Sequence, residues 1–291
     1  MKSSDVSPVG DGSVESAEFV GLAASSRRAK VVGLRAHQLF EGADSVAVEV
    51  PVALEYNGVS HAVMLASPND LEDFAYGFSI TEGIVDSAAQ IRDVELVPSA
   101  AGITLQIEIA SECFVRLKDR RRHMTGRTGC GLCGTDSLTQ AVRRPPILAS
   151  GSRFESSAVL RALAGLRGQQ ALLKATGATH AAAWCTAAGD ITVLREDVGR
   201  HNALDKVIGA LMRGGQPAAS GFMVVTSRAS YEMVHKTTVA GVTLLAAVSG
   251  VTALAVDVAE EAGLALLGFV RGDDLSVYAH AERIHLTAGA P

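Results

Sequence analysis

The chain has 291 residues, enough for one large or two ordinary domains of roughly 100–200 residues each. Hydrophobic residues at 48% and charged residues at 20% exclude wholesale disorder, and the 4% of aromatics leaves the core to aliphatic side chains. A net charge of −5 excludes a general nucleic-acid binder, so any anion site must be a local basic patch.

Residues 1–30 are rich in Ser, Gly, Asp and Glu and are expected to form a disordered tail. They hold no apolar run of the secretory kind, so a cytoplasmic location is expected. Order is expected from about Val31. A Val-rich, alternating stretch over residues 44–56 and a second over 59–66 flank Asn57-Gly58, which predicts a β-hairpin. Ser67-Pro68-Asn69-Asp70 then opens a helix with Leu71, Phe74 and Phe78 on one face. Ile103, Leu105, Ile107 and Ile109 alternate with polar residues as a half-buried strand. Together these predict a small α+β domain over residues 31–140. It ends in a basic run with Arg116, Lys118, Arg120, Arg121, Arg122 and Arg127, followed by the cysteine-bearing loop.

Residues 141–155, with Pro145-Pro146 and Gly151, read as a connection to a second domain over 156–288. There, Leu160, Leu163 and Leu166 mark a helix. Residues 181–186 and 191–194 form a hairpin around Gly189-Asp190, and Asn202 is expected to cap a helix running to Met212. Strands over 222–226, 242–248, 265–270 and 275–278 alternate with helices starting near Tyr231 and Thr252. The pattern predicts an α/β sheet with helices packed on its faces. Residues 237–256 carry no charge and have the length of a membrane span. Gly241, Thr243, Ser249, Gly250 and Thr252 interrupt them, so they read as helix end, buried strand, loop and helix start.

Three groups of residues carry chemistry. The first is Cys130-Gly131-Leu132-Cys133, whose spacing brings two sulfurs within reach of one metal, one disulfide or one shared sulfur atom. Nearby Arg and Lys residues favour the nucleophilic thiolate, and Gly129, Gly131 and Gly134 give the sulfurs little cover. Structural zinc would need further ligands, and Cys113, Cys185 and the histidines show no matching spacing. A thioredoxin-like dithiol would sit near a βαβ opening, which this pair does not. A zinc deaminase needs H-x-E ahead of P-C-x-x-C, whereas Gly129 replaces that Pro and the only H-x-E, at His280 and Glu282, follows the pair. The glycines also match G-x-G-x-x-G, but no apolar strand precedes them. Inert, buried cysteines are the remaining alternative.

The second group is three loops after predicted strands: residues 227–230 with Ser227 and Arg228, residues 249–252, and residues 271–274. Ligands of open α/β sheets gather at the carboxyl ends of strands, and helix starts and arginines suit phosphate. An anionic, nucleotide-sized ligand fits, against ordinary helix capping with surface arginines. The third group is the polar run Glu196 to Asn202, either a binding loop or a set of internal salt bridges. His180, His235 and His280 stand alone and are read as structural.

NDLEDFAYGFSITEGIV, TGCGLCG, REDVGRHNALDKVIG, SRASYEMVHK and GFVRGDDLSVYAHAERI, separate motifs in the right order, resemble the formate dehydrogenase accessory sulfurtransferase family, FdhD. The resemblance runs from about Val46 to Ile284. It implies a sulfur carrier that takes persulfide sulfur from a cysteine desulfurase. The sulfur would pass to the molybdenum or tungsten bis-molybdopterin guanine dinucleotide cofactor of formate dehydrogenase, which a guanine nucleotide may be used to mimic. It also implies that Cys130 carries the persulfide beside Cys133, and that Phe269, Val270, Arg271, Gly272, Asp273 and Asp274 bind the cofactor. A cytidine deaminase-like second domain without the zinc, and a homodimer, are implied too. A cofactor-binding chaperone without sulfur chemistry and a zinc-stabilised interaction module are the alternatives. Residues 116–134 are expected to be mobile without ligand and to gain order when phosphates meet their arginines.

Overall fold

The computed structural model describes residues 25–124, 143–149 and 152–287. An antiparallel arm opens the chain, β1 (Ser26–Arg35) with β2 (Gln38–Ala47). Residues 26–30, expected to lie in a disordered tail, are paired strand instead. The alternating stretch over 44–56 is also not one strand. It breaks at Val48-Glu49 into the end of β2 and the start of β3 (Val50–Tyr56).

β3 turns at Asn57-Gly58 into β4 (Val59–Ala66), with Tyr56 opposite Val59. Both turn residues have positive φ, 46° and 78°, as the Asn-Gly pair predicts. β5 (Ile91–Ser99) and β6 (Gly102–Ile109) form a second hairpin, and β6 runs parallel to β3. The resulting four-stranded sheet has the order β4-β3-β6-β5. α1 (Leu71–Thr81) lays Leu71, Phe74 and Phe78 on its core face, against Val52, Leu54, Leu105 and Ile107. α2 (Ser111–Met124) takes in the start of the basic run, which is helix there rather than loop. Cys113 and Leu117, one turn apart, bury its inner face, while Glu112, Arg116 and Lys118 are exposed. The remainder of the segment expected to order with ligand lies outside the described residues.

The second sheet has six strands in the order β13-β12-β11-β10-β8-β9. These are β8 (His180–Thr186), β9 (Ile191–Asp197), β10 (Gly221–Val225), β11 (Leu244–Ala247), β12 (Ala265–Arg271) and β13 (Asp274–Ala279). β10, β11 and β12 are parallel, and β8 and β13 flank them antiparallel. One face buries Leu204, Val207 and Ile208 of α5 (Arg200–Arg213), Met233 and Val234 of α6 (Tyr231–Val239), and Val258 of α7 (Ala253–Ala262). The other face packs Val159, Ala162 and Leu166 of α3 (Ser156–Gln169) on Phe222, Val224 and Leu267. α4 (Ala171–Thr176) follows directly, and a short parallel pair joins β7 (Phe154–Glu155) to β14 (Ile284–His285). The fold is thus α/β with helices on both sheet faces, plus a smaller α+β unit. The uncharged stretch over 237–256 resolves into the end of α6, β11, a loop and the start of α7. Among the described residues, no helix is long and apolar enough to cross a membrane.

The two units meet where α1 packs on α5. A Cβ on Gly77 would lie 1.8 Å from the Asp205 carbonyl oxygen, and one on Gly209 would lie 1.8 Å from that of Asp73. Only glycine permits these helix backbones to approach so closely. Asn202 is not the cap of α5, because Gly199 holds that position and Asn202 lies inside the first turn. Its amide donates instead to Leu65 O across the junction, at 2.8 Å.

Candidate functional site

Cys130 and Cys133 lie outside the described residues. Arg143 is pinned to the start of α6. The Arg143 amide donates to the Tyr231 hydroxyl at 2.6 Å, and that hydroxyl lies 3.1 Å from the Arg143 carbonyl. The Arg143 guanidinium meets Glu82 at 3.2 Å. A cavity of about 520 Å³ lies there between the end of α1, α6 and Arg143, Arg144 and Pro146. Burial and the Arg143 charge push the His235 imidazole on its wall down in pKa, toward the neutral form.

The other two cysteines are inert. Cys113 and Cys185 are fully buried free thiols. Burial raises the pKa of both, that of Cys185 to about 12, far from the thiolate that reacts. Among the described residues, no cluster of His, Cys, Asp and Glu could hold a metal ion. The H-x-E residues bond to each other, His280 Nδ1 to Glu282 Oε1 at 2.8 Å.

The three loops at the carboxyl ends of the parallel strands are one continuous surface. Ala229 and Val251 form a parallel bridge, with Ala229 N donating to Gly250 O and Thr252 N to Ala229 O, each at 3.1 Å. Phe269 N donates to Ser249 O at 3.0 Å, and the Phe269 ring covers Gly250. Phe269 holds a φ of 52°, which breaks the β12–β13 ladder and turns its side chain onto the neighbouring loop. The Arg271 guanidinium sits 5.4 Å from the centre of that ring. Residues 271–274 are a tight hairpin turn rather than an open loop, since Arg271 pairs with Asp274. Ser227 is buried and its hydroxyl donates to Arg228 O, whereas Arg228 is exposed.

A cleft of about 400 Å³ opens beside this surface. Thr226, Val248, Val270, Arg271 and Gly272 form its sheet side. Leu160, Leu163 and Arg167 of α3, then Gln170 and Leu173, form the other. Its size falls in the roughly 300–1,000 Å³ range of small-molecule sites. Of the residues expected to bind cofactor, Val270, Arg271 and Gly272 line the cleft. Phe269 flanks them, and Asp273 and Asp274 are exposed in the turn. Gln170, Arg167 and the α3 leucines were not anticipated as site residues. The leucine periodicity located the helix, but no spacing says which flank faces a ligand.

The polar run that begins at the end of β9 divides in two. Asp197 and Lys206 form a fully buried ion pair at 2.7 Å. Asp197 also accepts from Ser67 N, Gly199 N and the Asn202 amide, while Lys206 donates to Ser67 O. Glu196 accepts from Leu172 N, Leu173 N and the Thr179 hydroxyl. Lys236 bridges Asp205, Glu82 and Thr81. Desolvation opposes the Lys236 charge, but Asp205 and Glu82 outweigh it and hold the ammonium above its usual pKa. Asp73 of α1 lies between Arg195 and Arg213. All of these side chains except Glu196 tie the two units together, which is the internal salt-bridge reading of the motif. Arg200 and His201 are half-buried, and the buried Arg200 Nε has no hydrogen-bond partner among the described residues. Burial, then the Arg200 charge, lowers the His201 pKa to about 4, so its ring is neutral near pH 7.

Residues 47–285 match the FdhD/NarQ family model, and the chain belongs to that family. A sulfur carrier protein FdhD from Variovorax paradoxus is 57% identical over 255 residues, 88% of this chain and 92% of that one. The sulfur carrier protein FdhD of Cupriavidus necator is 52% identical, with 98% of this chain and 96% of its own length aligned. The crystal structure of a putative formate dehydrogenase accessory protein from Desulfotalea psychrophila shares the fold, with a TM-score of 0.71 at 23% identity. The match covers 89% of this chain and 99% of that one.

Proposed function

We propose that the protein is a cytoplasmic sulfur carrier serving formate dehydrogenase. Cys130 takes sulfur from the persulfide of a cysteine desulfurase. Its thiolate attacks the terminal sulfur, the donor's S–S bond breaks, and the desulfurase cysteine leaves as thiolate. Cys133 is its neighbour in the loop. The substrate that receives the sulfur is the molybdenum bis-molybdopterin guanine dinucleotide cofactor, seated on the carboxyl-end surface. Its pyrophosphates meet Arg271 and Arg228 there, and a homodimer presents two such surfaces.

The observation that carries this reading is the position of the cleft. It opens at Val270, Arg271 and Gly272, within the stretch that the resemblance assigns to cofactor, and arginines stand at its mouth. The two inert thiols elsewhere leave Cys130 and Cys133 as the place for sulfur chemistry. The test is complementation. A strain lacking the protein regains formate dehydrogenase activity with the wild type and not with Cys130→Ala. Activity equal to wild type with Cys130→Ala would overturn the reading.

A further inference from the structure

β1 and β2 pair along their whole length, from Ser26 opposite Ala47 to Arg35 opposite Gln38. The arm meets its own chain at α4, and residues 34–39 at its tip are exposed throughout. A two-stranded hairpin alone is marginal in water. Among the described residues, none of the apolar side chains of this arm belongs to a core. Leu34 lies opposite Leu39, with Val32 two positions back on the same face, at 68%, 82% and 72% exposure. Behind them the same face carries Lys30 and Arg28, both exposed and neither in an ion pair among the described residues. The Arg28 guanidinium meets only the Ala43 carbonyl, at 3.2 Å. Glu41, opposite Val32, is the one acid on this face.

The outer face of the four-stranded sheet is its counterpart. Val52, Leu54, Leu105 and Ile107 point into the core, so the alternate residues point outward. At one end stand Pro51, Val63 and Leu65, the last two more than half exposed. At the other stand Glu55, Glu95 and Glu108, none in an ion pair among the described residues. Lys30 is four residues from Leu34, and Glu55 four from Pro51, about 13 Å in each case. An arm laid with its tip over Pro51 and Leu65 therefore brings its cations over the acidic end. That sheet is not its own. The arm runs into β3 through Val48-Glu49, so its root lies beside its own Pro51, and both surfaces are exposed in one copy. We infer that the arm of one protomer docks on the outer face of the four-stranded sheet of a second copy. Leu34 and Leu39 meet Val63 and Leu65, and Lys30 and Arg28 meet the glutamates. Two-fold symmetry makes the contact twice, each arm on the other sheet. This rests on the homodimer reading and adds the surface that joins the copies.

Sedimentation of the full chain over a concentration series tests this with two charge-reversed variants. The arm variant carries Arg28→Glu and Lys30→Glu, and the sheet variant carries Glu95→Lys and Glu108→Lys. Each alone sets like charges against each other in both contacts, so its dimer should dissociate at least about tenfold more readily than wild type. An equimolar mixture of the two should dimerise nearly as tightly as wild type, because both contacts of the mixed dimer then pair opposite charges. Leu34→Ser with Leu39→Ser, which leaves the charges in place, should also weaken the dimer at least about tenfold. If wild type is a dimer and any of the three variants dimerises equally tightly, the arm contact is overturned while the homodimer reading stands. A mixture no tighter than its separate components overturns it too. If wild type is a monomer over the whole series, both fall.

Discussion

Replacing Lys206 by Met removes the cation of the buried pair and keeps most of its volume. Asp197 then remains at zero exposure with no counter-charge. Breaking a buried ion pair from one side typically costs about 3–5 kcal/mol. Ser67 N, Gly199 N and the Asn202 amide still donate to the carboxylate, which places the loss near the lower end, about 3 kcal/mol. Against a usual total of about 5–15 kcal/mol this is a large fraction. At about 2–4 °C per kcal/mol it lowers the melting temperature by about 6–12 °C. Adding Asp197→Asn should recover at least half of the loss, because the unpaired charge is then gone. Denaturant unfolding of wild type, Lys206→Met and the double variant at neutral pH measures both. A loss below about 1 kcal/mol, or a double variant no better than Lys206→Met, would refute the assignment of this pair to the junction.

Gly209→Ala places a methyl 1.8 Å from the Asp73 carbonyl and should cost at least about 1–3 kcal/mol by forcing α1 and α5 apart, read by thermal unfolding. His201 is neutral when folded, with a pKa near 4 against an ordinary 6.5, so acid protonates the unfolded chain first. Its contribution to stability is present above about pH 6.5 and lost as pH falls toward 4. His201→Gln should flatten that part of the stability–pH curve, and an unchanged slope would contradict the burial argument. Arg271→Ala should weaken guanosine diphosphate binding about tenfold by calorimetry, with Arg228→Ala as the companion variant. Unchanged affinity in both would move the anion site elsewhere.

The sequence announces an element clearly where a local rule acts alone. Asn57-Gly58 is such a place, because positive φ at two successive positions leaves few alternatives. Leu71, Phe74 and Phe78, and Ile103 to Ile109, carry their periods in plain view. β5 was not anticipated, because Pro98 and the scattered charges of residues 92–95 mask its alternation. α2 shows in the sequence only as a basic run, because only Cys113 and Leu117 mark its buried face. Asn202 looked like a cap because capping residues are recognised locally, whereas its partner Leu65 is 137 residues away. Distance also hides the role of the polar motif that begins at the end of β9. Glu196, Asp197 and Asn202 have the composition of a binding loop, and only the fold shows Glu196 satisfied within its own unit and Asp197 bonded to Ser67, 130 residues away. Gln170 is the opposite case: a plain glutamine in sequence, notable only because folding buries it without a partner.

The central claim is that Cys130 receives sulfur as a persulfide. Intact-mass analysis after incubation with a cysteine desulfurase and cysteine tests it most directly, with alkylation to trap the product. Wild type should gain the mass of a sulfur atom at Cys130, lost again on reduction, and Cys130→Ala should gain none. Equal sulfur loading of Cys130→Ala and wild type would contradict the account.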